Sequence, residues 1–107
     1  MEKILEIAKK VIREEAQKAG FKVVRIILFG SRARKDYRED SDWDFLVILD
    51  RDITFSELKR LSGRIQLRFA RSNIPNDIIL RGINQFEDSK EVMGNISYYA
   101  RKEGITI

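Results

Sequence analysis

The stretch GSRARKDYREDSDWDFLVIL, Gly30 to Leu49, holds the sharpest contrast in this chain. It opens on a Gly-Ser pair and a basic cluster of Arg32, Arg34, Lys35 and Arg38, and ends in Phe-Leu-Val-Ile-Leu. An unbroken apolar run of that length fits a strand buried on both faces. Asp42 and Asp44 flank Trp43 at its mouth. Side chains at i and i+2 of a strand share a face, so the two carboxylates stand together and Trp43 turns to the other side. Near a core they repel and are poorly hydrated, a conflict that a hard divalent cation would relieve.

Working outward, Lys22 to Phe29 reads KVVRIILF, a second buried strand that Gly30 stops. Ahead of it, residues 2–19 carry Ile4, Leu5, Ala8, Val11, Ile12, Ala16 and Ala19 at helical spacing, with Gly20 placed to end the helix. Residues 31–41 are polar and form a loop or a short helix. Downstream, Thr54-Phe-Ser-Glu57 is a capping box ahead of a helix striped by Leu58, Leu61, Ile65 and Phe69. That helix should end near Ser72 and Asn73, before Pro75. Asp77 opens a third strand, DIIL, closed by Gly82. A last helix is expected from about Asp88 to Lys102, with Val92, Met93, Ile96 and Ala100 inward and Gly104 as its stop. The tail ITI adds a short strand or packs on a partner. The expected class is α/β: one domain over residues 1–107, a small mixed sheet flanked by helices.

Elimination sharpens the chemistry. The 107 residues include no cysteine and no histidine. Disulfides, thiolate zinc sites, imidazole ligands and Ser-His-Asp triads are excluded, so a metal here must be held by oxygen. The formal net charge of +4 mildly favours phosphate-bearing partners and carries little weight. No apolar run approaches the ~20 residues of a membrane helix, and the N-terminus lacks a signal-peptide pattern. The expectation is a cytoplasmic protein with no membrane partner.

Asp77 is the third acid. If its strand lies parallel to the Asp44 strand, the intervening helix is the crossover such a pair requires, and the two strand starts come level. If the first two strands are antiparallel neighbours, Gly30-Ser31 reaches the same rim. Three carboxylates there could hold one or two Mg²⁺ ions. Gly30 admits a ligand close to the backbone, Ser31 offers a hydroxyl and an amide, and the arginines can neutralise polyphosphate. The expected reaction is attack of a hydroxyl on the α-phosphorus of a nucleoside triphosphate, with Asp77 on the nucleophile side. Plainer readings exist for single residues: the arginines as a solvated loop, Trp43 as core, Tyr98 and Tyr99 as packing.

Gly30-Ser31, ten residues, then Asp42-Trp43-Asp44 resembles the GS-x10-DxD signature of the minimal nucleotidyltransferase family, within the DNA polymerase β-like superfamily. The likeness runs on through FLVIL, Asp77 and the Glu103-Gly104 end of the closing helix, and covers nearly the whole chain. It departs at Lys35, where relatives often carry glycine; the expected consequence is an altered loop or altered phosphate contacts. The resemblance implies the polymerase β-like fold. It implies Gly30 and Ser31 as triphosphate contacts, beside which Arg32 and Arg34 are expected to bind the nucleotide by their charge, and Asp42, Asp44 and Asp77 as ligands of Mg²⁺, with Mn²⁺ as substitute. It further implies an antitoxin that forms a hetero-oligomer with a HEPN-domain toxin and transfers AMP from ATP, or another triphosphate, to a tyrosine of that partner.

Two other functions compete. One is an antitoxin that neutralises its partner by occlusion alone; Asp-to-Asn changes at 42 and 44 separate the two. The other is a nucleic-acid enzyme, a nuclease or an RNA-end nucleotidyltransferase. It is disfavoured because no basic-aromatic surface is evident and the strand after the acids carries no lysine. A Walker-type phosphate loop is absent.

Overall fold

A computed structural model describes residues 2–89 and 95–107. In chain order the elements are α1 (Glu2–Lys18), β1 (Val23–Phe29), α2 (Gly30–Arg34), β2 (Trp43–Leu49), α3 (Phe55–Arg71), β3 (Asn76–Gly82), α4 (Ile83–Ser89), α5 (Ile96–Glu103) and β4 (Ile105–Thr106). The four strands form one sheet in the order β3-β2-β1-β4. β1 pairs antiparallel with β2 and with β4. β2 and β3 are parallel, and α3 is the crossover between them. Both conditional pairings drawn from the sequence therefore hold.

The sheet is covered on both faces, which is why β1 and β2 are apolar apart from Arg25 and Asp44. On one face, Ala8, Val11, Ile12 and Ala16 of α1 and Leu61, Ile65 and Phe69 of α3 pack on Ile26, Leu28, Phe45, Val47 and Leu80. On the other, Phe86 of α4 and Ala100 of α5 pack on Ile27, Phe29, Leu46 and Ile48. Within β2 every residue is buried except Asp44, which is half-buried. The expected capping box is present: Glu57 N donates to Thr54 Oγ1 at 3.2 Å, and Thr54 N to Glu57 Oε1 at 3.1 Å.

The C-terminal third differs from expectation. In place of one helix from about Asp88, α4 starts directly after β3 at Ile83, and α5 spans Ile96–Glu103. The cause is local. Gly82 N donates to Gln85 Oε1 at 2.7 Å, half of a capping box, while Phe86 anchors the turn in the second core. Ala100 is inward as expected; the inward placements expected of Val92, Met93 and the Ile96 side chain lie outside the described part of the chain. The tail does form a strand, β4, with Leu28↔Ile105 and Ile27↔Thr106 as partners. Gly104 lets the end of α5 reach it, since a Cβ there would collide with Ala100 O and Ile27 Cγ2.

Away from the acid rim, α1 and α3 are joined by a charged contact. Arg68 Nη1 lies 2.9 Å from Glu14 Oε1 and 3.0 Å from Glu15 Oε2, and the Glu15 side chain is 7% exposed. Removing the guanidinium leaves the Glu15 carboxylate with only the exposed Lys18 ammonium, at 3.6 Å, among the described residues. Arg68→Met should cost about 2 kcal/mol in urea unfolding at pH 7, against about 1 kcal/mol or less for Glu14→Gln.

Candidate active site

The parallel register of β2 and β3 pairs Asp44 directly with Asp77, and the antiparallel register of β1 and β2 pairs Asp44 with Phe29. Neighbouring strands run about 4.8 Å apart, so Asp44 and Asp77 stand side by side on the face packed by α4 and α5. Asp42 lies just before β2, exposed, two residues from Asp44. Both of the other acids act on Asp44. Burial first, then the charges of Asp77 and Asp42, push the Asp44 carboxyl up to about 6; the Arg34 guanidinium works in the opposite direction. Among the described residues no three acidic side chains are drawn together into a ready-made ion cage. The three acids share a rim and remain apart on it.

Gly30 follows β1 with φ +72°, in the left-handed region that favours glycine. A Cβ on it would collide with Asp44 Oδ2 and lie 3.1 Å from Asp44 Cγ. The Asp44 carboxylate thus rests against the bare Cα of Gly30, and Ser31 follows on the first turn of α2. The Gly-Ser pair and the acids meet at one place.

The arginines of the cluster have different surroundings. Arg34 points across the rim: its Nε is 3.3 Å from Asp36 Oδ2, and its Nη1 is 3.3 Å from Glu103 Oε1 at the end of α5. It is 44% exposed, free to exchange these partners for a ligand. Arg32 is buried and occupied within the protein, bonded to the carbonyls of Glu39 and Ser41. That is a different engagement from the nucleotide contact expected of it. Nothing in its sequence position distinguishes it from Arg34; only the burial does.

Lys35 adopts φ +67°, ψ +24°, the left-handed conformation that closes α2. Lys35 therefore holds a backbone conformation that favours glycine and carries the strain of it. Lys35→Gly removes a penalty of about 1 kcal/mol against some added chain entropy, so it should raise thermal stability slightly, whereas Lys35→Val should lower it by about 1–2 kcal/mol. Trp43 is 3% exposed in the first core cluster, as the core reading expects. Tyr99 is 43% exposed, outside the core, and packs edge-on against Tyr98 with ring centroids 5.4 Å apart.

A groove of about 660 Å³ is lined by Glu14, Glu15, Arg64, Arg68 and Arg71. It lies between α1 and α3, on the sheet face opposite Asp44, and the Glu15–Arg68 pair fills its chemistry. The acid rim is the site to which the converging strand ends point.

The family model described as polymerase beta, nucleotidyltransferase matches residues 3–101. The chain belongs to this family. Its motif likeness to the minimal nucleotidyltransferases stands, and the enzyme is a nucleotidyltransferase of the polymerase β-like fold. A Methanocaldococcus jannaschii relative, provisionally named a protein adenylyltransferase, is 37% identical over 69 residues, spanning 62% of this chain and 70% of the relative. Two solved structures share the fold. One, a toxin–antitoxin with AMP-PNP, superimposes with a TM-score of 0.59 at 16% identity, over 91% of this chain and 69% of its own. The other, a mutant of the MntA–HpeT toxin–antitoxin, gives 0.57 at 15% identity, over 92% and 70%. No described helix of this nucleotidyltransferase is long and apolar enough to cross a membrane.

Proposed function

We propose that residues 1–107 act as a single nucleotidyltransferase domain that transfers AMP from ATP to a tyrosine hydroxyl of a HEPN-domain toxin, in the cytoplasm, and so serves as its antitoxin. The observation that carries this reading is the register of Asp44 with Asp77 beside Gly30. The adenylyltransferase name of the archaeal relative and the toxin–antitoxin structures support the acceptor and partner.

The donor set fits a hard divalent cation: three carboxylates and no nitrogen or sulfur donor, with burial and then the charges of Asp77 and Asp42 already holding the Asp44 carboxyl well above its ordinary value. Asp42, Asp44 and Asp77 would hold Mg²⁺, or Mn²⁺ in its place. When bound, that ion supplies charge neutralisation for the triphosphate and acidifies the attacking hydroxyl. The remaining work belongs to the chain. Gly30 leaves room for a phosphate beside Asp44, Ser31 donates to its oxygens, and Arg34 leaves Asp36 and Glu103 to meet the growing negative charge. The tyrosine oxygen bonds to the α-phosphorus, the α–β P–O bond breaks, and pyrophosphate leaves with the electron pair. Asp77, at the exposed end of the rim, accepts the hydroxyl proton.

The test is the intact mass of the partner after incubation with ATP and Mg²⁺. An increment of one or more AMP units, absent with Asp44→Asn, is the expected result. An unmodified partner in a tight, inactive complex would replace transfer by occlusion.

A further inference from the structure

We propose that Arg32 is a positioning residue that aims the Asp42 carboxylate by fixing the peptides on either side of it. This rests on the metal-and-triphosphate reading of the acid rim. Arg32 is 7% exposed, unusual for a guanidinium on a five-residue surface helix. Its Nε and Nη2 both donate to the Ser41 carbonyl, at 3.3 and 3.0 Å, and Nη2 also donates to the Glu39 carbonyl at 3.0 Å. Its central carbon lies 4.3 Å from the centroid of the Tyr37 ring and 4.5 Å from that of Trp43. Among the described residues no carboxylate pairs with it; two carbonyls take its Nε and Nη2 and two aromatic rings lie against it.

Those partners bracket Asp42. Ser41 precedes it and Trp43 follows it, and the Trp43 amide is held separately by the Pro75 carbonyl at 2.9 Å. Asp42 itself is exposed and lies outside β2. Its direction therefore depends on how firmly residues 37–41 are held. Other ties of that segment are local, from Arg38 N to Ser41 Oγ at 2.8 Å and from Ser41 N to Arg38 O at 3.1 Å. Arg32 supplies the side-chain link from this segment back to α2, whose first residues are the Gly-Ser pair. One short helix thus presents the phosphate cradle and locks the loop that carries an acid. The group must be planar, forked and able to stack, which lysine is not.

The test compares the full chain with Arg32→Lys, which keeps the charge, and Tyr37→Leu, which removes one stacking face at a 41% exposed position and spares the hydrogen bonds. Mn²⁺ affinity is read from the electron paramagnetic resonance of the free ion, and hydrogen exchange is followed over residues 36–43. Arg32→Lys should weaken Mn²⁺ binding about 10- to 100-fold and speed exchange in the loop, with α1 and α3 unchanged. In the transfer assay kcat should fall while KM for ATP moves little. Tyr37→Leu should give smaller shifts in the same directions, and it decides the matter if Arg32→Lys does not fold. A folded Arg32→Lys protein with wild-type Mn²⁺ affinity and kcat overturns the proposal, even at a lower melting temperature. Asp44→Asn is the reference: if it alone loses Mn²⁺, only the role of Arg32 falls. If it binds Mn²⁺ as the wild type does, the rim is no metal site and both readings fall.

Discussion

Asp44→Asn should reduce nucleotide transfer on the order of 10³-fold and, without divalent metal, make the protein more stable at neutral pH. The loss follows from position, because Asp44 lies between the other two acids and against Gly30. The gain follows from linkage. The Asp44 carboxyl titrates near 6 in the fold against 3.8 unfolded, through burial and then the charges of Asp77 and Asp42. A raised acid binds its proton more tightly in the folded state, so the metal-free fold is favoured at low pH and loses that advantage as pH rises from about 4 to about 6. The full shift corresponds to about 3 kcal/mol, and solvent screening at a half-buried site reduces it to about 1–2 kcal/mol. Asparagine carries no charge, so the variant should exceed the wild type by that amount at pH 7.5 and match it at pH 3.5. Adding Mg²⁺ should raise the melting temperature of the wild type, more at pH 7.5 than at pH 5, and leave Asp44→Asn unmoved. Denaturation curves at three pH values, with and without Mg²⁺, check all of this; a wild type that grows more stable between pH 4 and 6 without metal would count against it.

Much of this site is legible in the sequence because strand periodicity is rigid. A strand that is apolar on both faces leaves few interpretations, so a half-buried aspartate inside β2 had to be either a fault or a function. The capping box at Thr54 and Glu57 marks where the crossover helix begins, and that helix is what brings Asp77 level with Asp44. What could not be read depends on tertiary surroundings. Arg32 and Arg34 are two residues apart and chemically identical, yet one is buried between rings and the other reaches Glu103, 69 positions away. The left-handed backbone at Lys35 opposes the residue's own preference and is imposed by the turn out of α2. The start of α4 did leave a trace, glycine followed three residues later by glutamine, but the apolar pattern beyond Asp88 drew the helix too far along the chain.

Gly30→Ala should damage both the fold and transfer, and a control inside the same chain shows why. Gly20 has φ +85° and Gly30 φ +72°, so alanine at either pays a left-handed backbone penalty of about 1–2 kcal/mol. At Gly20 the added carbon meets only Arg51 Nη2 at 3.7 Å, the far end of a flexible side chain. At Gly30 it meets the carboxylate of Asp44, which is pinned in a central strand between β1 and β3 and has little room to give. Gly20→Ala should therefore cost about 1 kcal/mol and leave transfer intact. Gly30→Ala should cost about 2–4 kcal/mol and reduce transfer on the order of 10²-fold, because the displaced acid leaves its register with Asp77. A double-mutant cycle isolates the collision. In an Asp44→Ala background the nearest remaining Asp44 atom is Cβ, at 3.5 Å from the added carbon, an ordinary contact. There Gly30→Ala should cost no more than Gly20→Ala does, giving a coupling energy of about 1–3 kcal/mol between the two sites. If the two glycine substitutions cost the same in the wild-type background, Asp44 does not lean on Gly30, and the pairing of phosphate cradle and metal ligand loses its structural basis.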